Sequence, residues 1–224
     1  MQSIDKSQLD GLFAALREVF AKQRAFLIDL DGKVGDSDLG ITMNKAFAAA
    51  ADSVAANVTD PIGKTLQLAG MAIAKAAPST MGTLTATGFM RGGKALLESA
   101  SIGASEMAVF WRAYHDGVVE RGKAKPGDKT VVDVLGPIVT SLESSAAAGI
   151  ALPQALQLAA DAASAALEGT RAMVAQHGKA ACFQEKSLGL QDAGATVGFL
   201  IIDTMRAYVL DDATPPIPKA GLPG

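Results

Sequence analysis

The chain has 224 residues, 49% of them hydrophobic and 19% charged, the balance of a folded domain that buries a sizeable core. A net charge of −3 offers no basic field to attract nucleic acid, so neither RNA nor DNA is expected as a partner. Cys182 is the single cysteine, which excludes an intramolecular disulfide and a cysteine-built zinc site and fits a reducing cytoplasm.

Asp5, Lys6 and Asp10 precede any apolar run, unlike a signal peptide. Leu9, Leu12, Phe13, Leu16, Val19 and Phe20 then recur at the three-and-four spacing of one helix face, with Ser7 and Asp10 as a weak capping box. A second helix is expected from about Ile41 to Ala56. Asp60-Pro61 marks the start of a third, Asp as cap and Pro at the first helical position. Further helical periodicity covers roughly 82–100, 105–121, 130–147, 153–176 and 194–210, with Thr130 and Asp133 supplying another cap. The apolar stretch Ala195–Leu210 is interrupted by Asp203 and Arg206 and is short for a bilayer, so no membrane association is expected. About eight helices and no strand make the chain all-α, with a helical domain over 1–210. The tail 211–224, with Pro215, Pro216, Pro218 and Pro223, reads as an exposed extension.

Four breaks, 29–40, 77–82, 122–129 and 177–193, are rich in polar residues or glycine, and they alternate with plain turns near 57–60, 101–104 and 148–152. In an up-down antiparallel bundle such alternation gathers the rich loops at one end. The first break places Asp29, Asp31, Asp36 and Asp38 among Gly32, Gly35 and Gly40. Carboxylates converging through glycine suit a hard cation shared with phosphate oxygens. The loop also reads as an exposed acidic turn that caps the next helix, whereas an EF-hand is poorly matched because no glutamate stands at the twelfth position. The second break, Ala77-Pro-Ser-Thr-Met-Gly82-Thr83, puts hydroxyls and free N–H groups at a helix start, a cap or a phosphate site, and lacks the lysine of a Walker A loop. The third, Arg121 to Thr130, reads equally as a solvated basic turn. The fourth ends in Asp192, a cap for the last helix. His115 and His177 lack the spacing of a metal pair or a nucleophile relay, and Trp111 and the methionines read as core.

Taken together, Leu30-Asp-Gly-Lys-Val-Gly-Asp-Ser-Asp-Leu-Gly40 with Met43-Asn44, Gly70-Met71, Arg121 to Thr130 with Asp133, and Lys186-Ser-Leu-Gly with Gln191-Asp-Ala-Gly-Ala-Thr196 resemble the nucleotide-binding L subunit of dihydroxyacetone kinases, in order, from about residue 8 to 210. The resemblance implies an antiparallel eight-helix barrel holding ADP or ATP with two Mg²⁺ ions at one end. It matches Asp31, Asp36 and Asp38 to the metal-binding aspartates. It matches Leu39, Gly40, Ile41, Thr42, Ser79, Thr80, Met81, Gly82, Gly122, Val131, Lys179, Asp192, Gly194, Ala195 and Thr196 to nucleotide-contacting segments, and assigns no catalytic base to this chain. It further implies a separate sugar-binding K subunit that holds a small ketose, dihydroxyacetone or a tetrulose. A phosphohistidine carrier that recharges bound ADP, a homodimer, and a regulatory role on a transcription factor are all compatible with it. Departures from the pattern are Leu39 for a histidine, Thr42 for an asparagine, Pro78 to Met81 for a glycine-rich loop, Lys179 for an arginine and Ala193 for a proline.

Overall fold

The computed structural model describes residues 1–211. The proline-rich extension lies outside the described residues from 212 onward. Nine α-helices are present among the described residues: α1 (Lys6–Lys22), α2 (Arg24–Gly32), α3 (Leu39–Ala56), α4 (Ile62–Ala76), α5 (Thr80–Ala95), α6 (Ala104–Gly122), α7 (Val132–Ala147), α8 (Leu152–Gly169) and α9 (Ala193–Leu210), with 3₁₀ turns at Thr170–Ala172 and Lys179–Ser187 before α9. Eight of them form a closed ring: α1 packs on α3, each helix from α3 to α8 packs on the next, α8 packs on α9, and α9 returns to α1. The short α2 lies alongside α3. The eight-helix antiparallel barrel expected from the sequence is therefore the fold.

The face of α1 read from spacing is the buried one: Leu9, Leu12, Phe13, Leu16, Val19 and Phe20 all point into the core. Each such side chain contributes on the order of 1.5–3 kcal/mol by leaving water. Aromatic rings fill the middle, where Phe20 stacks on Phe47 at 4.1 Å and Phe89 meets Phe13, Phe47, Phe110 and Tyr114. Long enough and apolar enough to cross a bilayer, α9 is a core helix by its packing, 61% buried in the barrel. Glycine sets the close crossing of α4 and α5. A Cβ on Gly93 would stand 2.6 Å from the Gly63 carbonyl, so α4 and α5 approach to backbone contact.

Local signals were less exact than the pattern. Helix α1 is capped by Asp5, which accepts from Ser7 N–H at 2.8 Å while Gln8 accepts from the Asp5 N–H, so the capping box is Asp5–Gln8 and not Ser7–Asp10. Pro61 itself is the cap residue of α4, which begins at Ile62, and the Asp60 side chain makes no cap bond. Helix α2 was missed because its nine residues run straight into the acidic loop, and Asp29 and Asp31 lie on its last turns. The helix expected to reach 176 stops at Gly169.

The α4–α5 crossing gives a test. Gly93→Ala is expected to cost about 1–3 kcal/mol, because neither backbone can retreat. Gly169→Ala, with open space around it, is expected to be neutral or slightly stabilising. Urea unfolding midpoints of the two variants distinguish crowding at the crossing from a general intolerance of added methyl groups.

Candidate functional site

The α2–α3 turn brings Asp31, Asp36 and Asp38 together, one carboxylate oxygen from each lying within 4.8 Å of the others. Two ligands on opposite sides of Mg²⁺ stand about 4.2 Å apart, so the group fits a hard divalent cation. Two local features hold it. Asp31 Oδ2 accepts from the backbone N–H of Asp38 at 3.0 Å and of Leu39 at 3.3 Å, which ties the end of α2 to the start of α3. Gly35 leaves room for the other oxygen, since a Cβ there would sit 2.3 Å from Asp31 Oδ1. Asp36 also forms an ion pair with Lys179, far away in sequence.

These aspartates form one wall of a cleft of about 400 Å³ at one end of the barrel. Its other walls are Pro78 to Met81, Lys129, His177 to Ala180 and Gln191 to Gly194. The N-termini of α3, α5 and α9 all open onto it, and each presents the positive end of a helix dipole. At α5, Ser79 Oγ accepts from Gly82 N–H at 3.0 Å, leaving the N–H groups of Thr80 and Met81 as first-turn donors without an intrahelical partner. Gly82 is needed for the tight entry, because a Cβ would fall 2.0 Å from the Ala77 carbonyl. A second, more open groove of about 600 Å³ shares Pro78, Ser79 and Thr80 and continues to Thr83, Leu84, Arg121 and Gly122.

Two loops close the end of the barrel and are joined by a buried cation. Lys129 is 3% exposed and has φ 58°, and its Nζ donates to the carbonyls of Met173, Ser187 and Leu190 at 3.1, 2.6 and 2.7 Å. Burial draws the Lys129 pKa down, while the nearby Asp192 carboxyl resists that shift. Asp133 orders the same loop from below, accepting from Gly127 N–H at 2.5 Å and Thr130 N–H at 2.7 Å. His177 Nε2 lies 2.9 Å from Asp128 Oδ2, and Gln176 N–H donates to the Asp128 carbonyl at 3.0 Å. Asp192 caps α9, accepting from Ala195 N–H at 2.6 Å. Burial pushes its carboxyl up to about 6 against that bond and the pull of Lys129.

The model of the DAK2 domain matches residues 33–207 of the chain. The chain belongs to the DAK2 domain family. Among its relatives, the ADP-binding subunit DhaL of the PEP-dependent dihydroxyacetone kinase of Escherichia coli K12 is 34% identical over 194 residues, 87% of this chain and 92% of that protein. The L-erythrulose kinase of Pectobacterium atrosepticum is also 34% identical, over 89% of this chain but 34% of its own length. Among solved structures, the dihydroxyacetone kinase of C. freundii in complex with AMP-PNP and Mg²⁺ superposes with a TM-score of 0.68 at 25% identity, over 92% of this chain and 34% of that one. The DAK2 domain thus corresponds to nearly the whole of one relative and about a third of the others.

Of the residues expected at a DAK2 nucleotide site, Leu39, Ser79, Thr80, Met81, Lys179, Asp192 and Gly194 line the cleft with the three aspartates. Gly122 lines the second groove. The rest do not reach the cleft wall. Gly40 packs against α2, where a Cβ would meet the Arg24 carbonyl at 2.1 Å, and Gly82 packs on Ala77. Ile41 is outward-facing, and Thr42 N–H closes the first turn of α3 on the Asp38 carbonyl. Val131 is buried against Gly198. The Ala195 N–H is held by the Asp192 cap, and Thr196, fully buried, donates to the Asp192 carbonyl at 2.7 Å. The reading missed Lys129 and His177 as cleft residues. Lys129 sat in a run of cations that looked solvated, and His177 finds its partner 49 residues away.

Two outcomes are expected for the closing loops. Lys129→Met withdraws the ammonium donor from the carbonyls of Met173, Ser187 and Leu190 and is expected to cost about 3 kcal/mol. Faster hydrogen exchange across 173–190 would accompany it. Asp192 holds its proton to higher pH folded than unfolded, so its contribution to stability falls as pH rises from about 4, the ordinary carboxyl value, to about 6. Asp192→Asn keeps a capping oxygen and removes that slope. Its stability relative to the parent should rise by about 1–3 kcal/mol between pH 4 and 7 in urea titrations with EDTA.

Proposed function

We propose that this chain is the nucleotide-holding, phosphoryl-donating subunit of a dihydroxyacetone kinase-type enzyme, acting on a small ketose held by a separate sugar-binding subunit or domain. The observation that carries the reading is the three-carboxylate corner at the start of α3 facing the N-termini of α5 and α9 across one cleft. A phosphate chain needs cations and N–H donors, while its metal needs carboxylates, and the two sets face each other here. The resemblance to an ADP-binding subunit and to a structure with AMP-PNP and Mg²⁺ supports the same reading.

Asp31, Asp36 and Asp38 would hold Mg²⁺, two ions on the family pattern, and the free N–H groups of Thr80 and Met81 would hold phosphate oxygens. Bound there, a magnesium nucleotide supplies the phosphoryl group and part of the charge neutralisation its transfer requires. Lys179, paired with Asp36, would be placed to donate to phosphate oxygens beside the metal that the aspartate would hold. The groove reaching Arg121 and Gly122 has room for the nucleoside end. No group in the cleft is assigned as general base, because the acceptor hydroxyl and its base belong with the sugar-binding partner. A chain that works this way is cytoplasmic, and a relative named PEP-dependent supports resident ADP recharged by a phosphocarrier.

Calorimetry with ADP and Mg²⁺ tests the site. Asp36→Asn is expected to weaken metal-dependent ADP binding at least about tenfold with an unchanged circular dichroism spectrum. Equal affinity in mutant and parent contradicts the assignment. Native mass spectrometry of the purified parent then separates resident ADP from exchangeable ATP. Turnover of dihydroxyacetone or erythrulose on adding a sugar-binding K subunit separates a kinase from a regulatory module.

A further inference from the structure

His177 lines the cleft at a corner made by Gly178, whose φ is +64°, one residue before Lys179. Its ring is oriented by a bond that spans the two closing loops, Nε2 to Asp128 Oδ2 at 2.9 Å. Asp128 is itself fixed, because the same oxygen accepts from Lys125 N–H at 2.7 Å and its carbonyl accepts from Gln176 N–H at 3.0 Å. These bonds, Lys125 N–H first and His177 second, hold the Asp128 carboxyl below its ordinary range, so it stays an acceptor and Nε2 carries a proton. The ring therefore meets Asp128 through one nitrogen, and Nδ1 is the other.

We propose that His177 is a proton-switched phosphate ligand of this cleft. With the imidazole neutral, Nδ1 presents a lone pair and repels a phosphate oxygen; with it protonated, the same nitrogen donates to that oxygen and adds a positive charge beside Lys179. The charged groups that share the cleft with His177 or bind its partner are Asp128, Lys125 and Lys129 from the α6–α7 loop, Lys179 from its own loop, Asp31, Asp36 and Asp38 from the α2–α3 turn, and Asp192 at the start of α9. Lys179 is paired with Asp36, and the three protons of Lys129 are taken by carbonyls. Asp192, held up to about 6, changes charge near neutral pH by gaining or losing a negative charge, whereas an imidazole does so by gaining a positive one. Nucleotide affinity then varies with pH through a residue that contacts the phosphates and not the metal.

The proposal rests on the nucleotide reading above, and the experiment separates the two. Binding of ADP with saturating Mg²⁺ is measured by calorimetry from about pH 5.5 to 8.5 for the parent, His177→Gln and Asp128→Asn, each checked by thermal melting. The glutamine keeps a donor to Asp128 but carries no charge, so titration of ADP itself and of Asp192 is common to both proteins. The parent is expected to bind about three- to tenfold more tightly than His177→Gln at the acid end and equally at the alkaline end. Asp128→Asn, which keeps the oxygen but not its charge, should move the parent's transition to lower pH. Superimposable profiles, or a His177→Gln loss of the same factor at every pH, overturn the switch and leave the nucleotide site standing. Absence of ADP binding in the parent at any pH overturns the nucleotide reading and the switch with it.

Discussion

Three carboxylates held within 4.8 Å repel one another, and one end of this barrel is organised around that repulsion. Backbone N–H groups at the start of α3 take one oxygen of Asp31, and Lys179 is drawn across the cleft to Asp36. Helix N-termini at α5 and α9 add positive potential opposite. None of these neutralises the cluster as a divalent cation does, and the remaining charge deficit suits a metal shared with phosphate. The geometry of the turn serves this convergence: Gly35 clears space at Asp31, and Ser37 adopts φ 61° so that Asp36 and Asp38 fold to the same side.

The barrel makes that arrangement rigid at low cost. Each helix of the ring buries an apolar stripe against both neighbours, so the loops at either end need supply no core of their own. At the end opposite the cleft, Ile4 and Ile102 exchange backbone hydrogen bonds of 3.0 and 2.8 Å, and Tyr208 donates to the Gln8 carbonyl at 2.8 Å, which closes α9 onto α1. The ring is thus fastened far from the cleft. The cleft end is left to loops whose shape is decided by polar contacts.

Those contacts are concentrated on few residues. Lys129 sends one ammonium into three carbonyls of the 173–190 segment and so joins the loop before α7 to the loop before α9. A buried ammonium is tolerable because all three of its protons are used. Asp128 repeats the link through His177 and Gln176. The long α8–α9 connection therefore behaves as a structured wall of the cleft, which is why Lys179 can be held opposite Asp36.

The amino-acid sequence by itself determined the helices of the ring and the acidic turn between α2 and α3. Periodicity at three and four residues depends on which side chains leave water, so Leu9 to Phe20 and the apolar face of α9 could be read directly. The acidic turn was legible for the same local reason: Asp31, Asp36 and Asp38 stand within eight residues, and glycine lets them converge. Caps were less legible, because Asp5 and Ser7 are both capping types within one turn, and Ser7 gives its N–H and hydroxyl to Asp5. What only the tertiary structure decided was the far side of the cleft. Lys129 among its neighbouring cations, and His177 beside a glycine, look like solvated surface until the barrel closes and brings residues 44 to 61 positions away within hydrogen-bonding reach. Burial and partner choice at such distances depend on how the helices pack, and no local spacing encodes them.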